Sequence, residues 1–216
     1  MAGRLQIYEG DSIRVTFAPD RCIHAGICVR ANARVFNPRR RPWIKPEQAT
    51  ADSIADIVSR CPTGALEFQR LDDGPPESHE GTNTVEVIAD GPLYARGSVR
   101  LETGEQEVDA HRVALCRCGA SKNKPFCDNS HLLMQFQDVG ALGSSSLGAE
   151  PTPGAGGLRI DLAPDGPIRL DGPFELRSAD GTAVQTGERC ALCRCGDSKN
   201  KPFCDGSHNS TGFEAA

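Results

Sequence analysis

Aromatic residues are scarce in this 216-residue chain, with eight Phe, two Tyr and one Trp making up 5% of it. Set against 23 glycines and 15 prolines, that scarcity argues against a single large core, and the length suits two or three small domains. Long apolar runs are missing as well. No stretch approaches the roughly 18 residues needed to span a bilayer, and the opening MAGRLQIYEG lacks the apolar segment of a secretory signal. Nor is there an excess of basic residues: the formal net charge is -5, which gives no electrostatic footprint for nucleic acid or an anionic membrane surface. Gly-x-Gly-x-x-Gly, P-loop and nucleophile-elbow patterns are all absent. The expectation is a soluble intracellular protein of the cytoplasm or an organelle lumen, without a membrane anchor and not an enzyme.

Cysteine, by contrast, is plentiful, at ten residues, and without a signal peptide a metal or redox role is favoured over disulfides. Six of the ten fall in an internal duplication. CRCGASKNKPFCDNSH, from Cys116 to His131, returns as CRCGDSKNKPFCDGSH from Cys193 to His208, identical at fourteen of sixteen positions. Each copy supplies three thiols and one imidazole: Cys116, Cys118, Cys127 and His131 in the first, Cys193, Cys195, Cys204 and His208 in the second. Soft sulfur with one imidazole selects iron-sulfur chemistry or zinc over magnesium or calcium. Residues two apart on an extended segment face the same side, so Cys116 and Cys118 can grip one metal together. Cys127 and His131, four apart, share one face of a helical turn, with Asp128 as an N-cap expected to accept from the His131 N–H. The positive end of that turn should favour the Cys127 thiolate. Zinc modules usually space their paired cysteines by two to four residues, which counts against a zinc-binding structural module.

The spacing, with Ser121, Pro125, Asp128 and Ser130 in the first copy and Ser198, Pro202, Asp205, Gly206 and Ser207 in the second, resembles the CDGSH iron-sulfur proteins, the NEET group. The resemblance implies one [2Fe-2S] cluster per motif, with the Cys pair on one iron and Cys plus His on the other. It also implies an intramolecular pseudo-dimer, since single-motif members work as homodimers. The first copy departs once, with Asn129 in place of Gly. These two residues best tolerate positive φ, so a left-handed turn is expected there.

Three further cysteines, Cys22, Cys28 and Cys61, lie near the N-terminus. The pattern predicts two strands within residues 4–17, a short helix to about Ala33, a helix from about Thr50 carrying Ile54, Ile57, Val58 and Cys61 and ended by Pro62, and a closing strand over 65–68. This region resembles the divergent single-cluster ferredoxin domain, with Cys22, Cys28 and Cys61-Pro62 as the matching residues. Ala25 stands where bacterial ferredoxins place a middle cysteine. Three thiols suit a [3Fe-4S] cluster, or a [4Fe-4S] cluster completed by His24, water or an outside ligand. The loop run Arg39-Arg40-Arg41 reads as solvated, with docking of an acidic redox partner as its functional alternative. Cys190, aligned with Val113, reads as a small core residue.

The organisation that follows is α+β: a small ferredoxin-like domain over 1–72, a first CDGSH unit over 82–137 and a second over 158–216, packed as a pseudo-dimer within a monomer. The Gly/Ser/Pro-rich stretch 138–157 reads as a flexible coil with a reach of about 25 Å. The functional expectation is a carrier of electrons or of iron-sulfur clusters serving redox or cluster-acceptor proteins. The alternatives are a zinc module or the iron-sulfur subunit of an oxidoreductase.

Overall fold

The computed structural model describes residues 4–79, 81–104, 106–145, 147–149 and 156–215. The chain is α+β with β predominant, and it divides into two compact units, Met1–Ser78 and His79–Ala216. No helix among the described residues is long and apolar enough to cross a membrane.

The first unit holds an antiparallel sheet ordered β1 (Gln6–Glu9), β2 (Ile13–Phe17), β3 (Leu66–Arg70), with α1 (Ile27–Ala31) and α2 (Ala51–Ser59). Helix α2 forms because Ile54, Ile57 and Val58 recur on one face and bury there, while the Thr50 hydroxyl accepts the Ser53 N–H at 3.4 Å. It stops before Cys61-Pro62, so Cys61 sits just past the helix. Ile13, Val15, Val35, Phe36, Ile44 and Leu66 complete this core. Trp43 packs edge-on to Phe17, with ring centroids 4.8 Å apart. The basic run faces solvent as expected, with Arg39 and Arg41 exposed and Arg40 half-buried, while Arg40 and Arg41 also donate to carbonyls of their own neighbourhood, including those of Val35 and Pro38. The basic run thus braces its own loop.

The second unit is a six-stranded sheet of β4 (Thr84–Val87), β5 (Leu93–Thr103), β6 (Gln106–Leu115), β7 (Leu158–Leu162), β8 (Ile168–Arg177) and β9 (Val184–Leu192). Its strands are shared between the repeats. β4 runs antiparallel to the first half of β5 and parallel to the second half of β8. β7 reciprocates, parallel to the second half of β5 and antiparallel to the first half of β8. The pairings β4–β5–β7–β8–β4 therefore close a ring, with β6 and β9 paired outside it on β5 and β8. Such exchange needs β5 and β8 to change neighbours midway. Both do so at a register shift, after Arg96 and after Asp171, where Gly97 (φ 155°) and Gly172 (φ 113°) take conformations closed to other residues. The buried Asn83 stitches the two shifts together, accepting from the Ser98 N–H at 3.0 Å and donating to the Pro173 carbonyl at 2.8 Å.

One apolar core serves both repeats, joining Val85, Leu93, Leu101 and Leu115 of the first to Leu158, Ile160, Phe174 and Leu192 of the second. A fully buried Leu or Ile contributes on the order of 2 kcal/mol, so each repeat draws much of its stability from the other. The described part of 138–157 is not a free coil. The Gly143 N–H donates to the Lys201 carbonyl at 3.1 Å, Ser144 and Asn200 exchange two hydrogen bonds, and Leu147 enters the shared core. Ser146 and residues 150–155 of that stretch lie outside the described residues.

Candidate metal centres

Each CDGSH-type loop is made by a strand end folding back on itself. Beyond β6 the chain turns and bridges Leu115 to Phe126, so that the Cys116 N–H donates to the Pro125 carbonyl at 2.8 Å and the Cys127 N–H to the Ala114 carbonyl at 2.9 Å. Beyond β9 the same bonds join Cys193 to Pro202 at 2.7 Å and Cys204 to Ala191 at 2.8 Å. The loop interior is held by two side chains. Ser121 donates to the Phe126 carbonyl and accepts from the Asn123 N–H, and Ser198 does the same with Phe203 and Asn200. Asp128 accepts from the N–H groups of Lys122 and Ser130, and Asp205 from those of Lys199 and Ser207. The aspartate therefore closes the loop across six residues and caps two residues on, instead of accepting from the His131 N–H three residues on. The intervening Asn129 (φ 71°) turns left-handed, as does Gly206 (φ 86°), and the one-turn helices α3 (Ser130–Leu133) and α4 (His208–Thr211) follow.

This scaffold presents the donors in pairs. The thiols of Cys116 and Cys118 are 3.8 Å apart, and Cys127 Sγ is 3.5 Å from His131 Nδ1; the second copy gives 3.7 Å for Cys193–Cys195 and 3.4 Å for Cys204–His208. Two thiolates about 2.3 Å from one tetrahedral metal would lie about 3.8 Å apart, and a thiolate with an imidazole nitrogen at about 2.0–2.1 Å would lie about 3.5 Å apart. All four pairs thus fit the bite of a thiophilic metal. Cys116, Cys118, Cys127 and His131 line a single cavity, to which Arg117, Ser121 and Asp128 also contribute. Among the described residues no three such donors converge on one point; the loops present donor pairs.

Backbone N–H groups of Asn129 and Gly206 point at the sulfurs of Cys127 and Cys204, at 3.5 and 3.4 Å. The Asn129 N–H at the start of the turn favours the Cys127 thiolate, as expected, but burial outweighs it and pushes that thiol up to about 11. Burial also raises Cys193 to about 11, whereas Cys118, hydrogen-bonded to Cys116, is brought down to about 7. Burial holds His131 below its ordinary value, which favours the neutral ring that a metal requires.

The two loops touch. A Cβ at Gly196 would come within 2.6 Å of the Cys118 carbonyl oxygen, and one at Gly119 would lie closer still to the carbonyl oxygen of Cys195. The contact is reciprocal, each Cys-x-Cys-Gly turn resting on the other. Phe136 lies between Arg117 of its own repeat and Lys201 of the other, and Phe213 between Arg194 and Lys124.

In the first unit, Cys22, Cys28 and Cys61 line one cavity of about 40 Å³ with Phe17, Trp43 and Thr63. Left-handed backbone at His24 (φ 54°) and Gly26 (φ 73°) reverses the chain between the first two thiols. Burial raises both Cys22 and Cys28, with the N–H groups of His24 and Val29 opposing. His24 is exposed at the rim of this cavity. Cys190 packs on the shared core of the second unit, and burial pushes its thiol up to about 12, which suits an inert filler.

Comparison with known proteins agrees with this layout. The family described as "Divergent 4Fe-4S mono-cluster" matches residues 8–71, and the one described as "Iron-binding zinc finger CDGSH type" matches residues 90–132 and again 165–209. The chain is a tandem CDGSH protein with a divergent 4Fe-4S mono-cluster domain at its N-terminus. Among curated proteins it resembles the "Uncharacterized protein YjdI" of Escherichia coli K12, at 37% identity over 67 residues that cover 88% of that protein and 31% of this chain. The protein of the same name from E. coli O157:H7 gives the same figures. No solved structure matches.

Two residues of the CDGSH loops that spacing alone did not single out anchor each loop. Arg117 and Arg194, between the paired cysteines, are almost wholly buried and reach back to tie the loop to the sheet, Arg117 to the carbonyls of Gly91 and Ile88 and Arg194 to those of Gly166, Ala163 and Ala215. The signal was present in the duplication, since an arginine kept in both copies at a position flanked by ligands is a poor candidate for a solvated charge.

Proposed function

We propose that this tandem CDGSH protein is an iron-sulfur carrier, moving electrons or whole clusters between protein partners, and is not an enzyme. The observation that carries this reading is the arrangement of donors as two pairs per loop at 3.4–3.8 Å, with the four donors of the first loop on one cavity. A [2Fe-2S] core offers one iron to each pair, whereas a single zinc needs all four donors on one point. Cys116 with Cys118 and Cys193 with Cys195 would hold one iron of each core, and Cys127 with His131 and Cys204 with His208 the other. The bound group supplies one-electron chemistry. The residues around it supply a neutral imidazole in place of one thiolate, which favours reduction over an all-Cys set.

The ring of exchanged strands and the reciprocal loop contact support reading the second unit as an intramolecular pseudo-dimer in a monomeric chain. In the first unit, which we read as ferredoxin-like, Cys22, Cys28 and Cys61 would hold a [3Fe-4S] or [4Fe-4S] cluster. Three thiols on one small cavity and the match over 8–71 favour this reading. We place the protein in an intracellular compartment, where its thiols stay reduced. The test is a count of iron and acid-labile sulfide, with visible and EPR spectra, on protein purified without oxygen. About four irons with equal sulfide in [2Fe-2S] form, plus three or four more if the N-terminal site is filled, is the expected result. A colourless protein with one zinc per motif and no sulfide would overturn the reading.

A further inference from the structure

The two repeats diverge at the turn that follows each histidine. After His131 come Leu132, Leu133 and Met134, which are 66%, 88% and 65% exposed. The places after His208 belong to Asn209, Ser210 and Thr211, also exposed. A one-turn helix forms in both copies, so the turn does not need apolar side chains, and at such exposure core packing does not account for those of the first. Single exposed apolar residues are ordinary, whereas three in succession beside a candidate ligand mark a contact surface.

Charge differs at the same place. The second loop and its turn carry three exposed carboxylates, Asp197, Asp205 and Glu214. Their counterparts in the first are Ala120, the half-buried Asp128 and Gln137. Asp138, a carboxylate of the first repeat alone, is engaged by the buried Arg117. The exposed Lys122, whose N–H donates to Asp128, stands by the start of α3, and Lys201 of the other repeat lies over the ring of Phe136, two residues past Met134, at 5.9 Å. The first turn is therefore apolar with lysines at its rim, and the second is polar with carboxylates among its lysines.

We propose that the Leu132-Leu133-Met134 turn is the surface on which an acidic redox protein docks, one whose apolar contact patch is ringed by carboxylates. This rests on the carrier reading, since the turn begins one residue past His131, and a partner seated there stands against the first site and not the second.

Size selects the same occupant. An aliphatic side chain buries less than about 150 Å², the low end for an aromatic, so three offer less than about 450 Å². A stable interface takes about 800 Å² per partner, and brief redox encounters take less. A second copy of the chain, meeting this turn with its own about a two-fold axis, would also set Lys122 against Lys122. Two lysines fall short of the cluster of about four to eight basic residues that holds a protein to anionic lipid. An acidic protein is instead drawn to Lys122 and Lys201 and is held weakly enough to leave, as a carrier requires.

The experiment titrates the full chain, loaded with iron and sulfide, with an acidic plant-type [2Fe-2S] ferredoxin as the probe, and reads first binding and then electron uptake from the reduced probe. In that step the ferredoxin cluster loses one electron, a cluster of the chain gains it, and no bond changes. One variant combines Leu132→Asn, Leu133→Ser and Met134→Thr, which writes in the side chains of the second turn; the other is Lys122→Glu. The triple variant should weaken binding at least tenfold with iron content unchanged, and Lys122→Glu should weaken it most at low salt. If the triple variant fails to load, Lys122→Glu decides. No binding of the probe to the parent, or binding that either loaded variant leaves unchanged, would overturn the docking surface while leaving the carrier reading standing. A parent dimer that the triple variant dissolves, seen by light scattering, would give the turn to a second copy. Binding of the parent, and not of the triple variant, to phosphatidylglycerol vesicles would give it to lipid, and either result overturns the proposal. A bound probe whose electron never reaches the chain would instead overturn the carrier reading, with the docking surface intact.

Discussion

The N-terminal thiol cavity and the CDGSH loops assemble the same kind of donor by opposite routes. In the loops, four donors lie within sixteen residues, positioned by bonds inside the loop itself: the Cys116–Pro125 and Cys127–Ala114 backbone pairs, Ser121 and Asp128. In the first unit the three thiols come from separate places, Cys22 before α1, Cys28 within it and Cys61 after α2, and only the packing of Trp43, Phe17 and the α2 face brings them to one cavity. A locally built site should tolerate distant changes and fail through its own backbone. A site assembled by the fold should fail with its core. The second unit adds a twist, because its two local sites lean on each other.

That mutual dependence gives the largest expected effect. Gly119→Ala would drive a Cβ into the Cys195 carbonyl and strain a residue at φ 79°. It should therefore remove the iron and sulfide of both loops, about four irons, while sparing the N-terminal site; metal analysis that finds only the first loop empty would show the contact to be incidental. Next in size, Cys61→Ser should abolish the cubane-type EPR signal and three or four irons while the [2Fe-2S] signals persist. Equal iron in parent and variant would leave the N-terminal resemblance one of fold alone.

A smaller effect concerns protons. Burial raises Cys127 and Cys193 to about 11, so near neutral pH these thiols are protonated before loading and each must release a proton to bind metal. Apparent metal affinity of the apo-protein should rise with pH between 6 and 8, by up to about tenfold per unit for each proton released. A flat profile in a competition titration would show that the thiols are already ionised. Smallest is Asn129→Gly. It restores the residue found in the second copy at a left-handed position, and should change thermal stability by no more than about 1 kcal/mol with iron content unchanged. Loss of the first cluster in that variant would give Asn129 a role that its backbone conformation does not explain.

The unequal legibility of the two regions has the same physical origin. The pairing of the candidate CDGSH donors was legible because spacing fixes geometry over so short a span. The left-handed turn at Asn129 was foreseeable because only Asn and Gly settle there easily. In the first unit, β1, β2, α2 and β3 all followed from alternation, the Thr50 cap and the Ile54-Ile57-Val58 face. What could not be read was anything dependent on long-range pairing. The exchange of β4 and β7 between repeats leaves no trace in local pattern, since Val85 and Val87 alternate whichever strand they join. The Gly/Ser/Pro-rich stretch after Asp138 has the composition of a free linker, yet Leu147 anchors its described part in the core. Burial of Cys127, which depends on the packed fold, outweighs the thiolate-favouring N–H that the local pattern suggests. The roles of Arg117 and Arg194 depend on carbonyls some 21 to 31 residues away along the chain, which local pattern does not give.

The central claim is that each CDGSH loop presents its donors as two pairs, one per iron. Mössbauer spectroscopy of the Cys61→Ser protein, loaded with iron-57 and oxidised, tests it most directly, because the N-terminal site is removed and every remaining iron belongs to the loops. The account predicts two ferric environments in equal amount, one with two thiolates and one with a thiolate and an imidazole, at about four irons and four sulfides per chain. A single iron environment, or one metal per loop without sulfide, would contradict it.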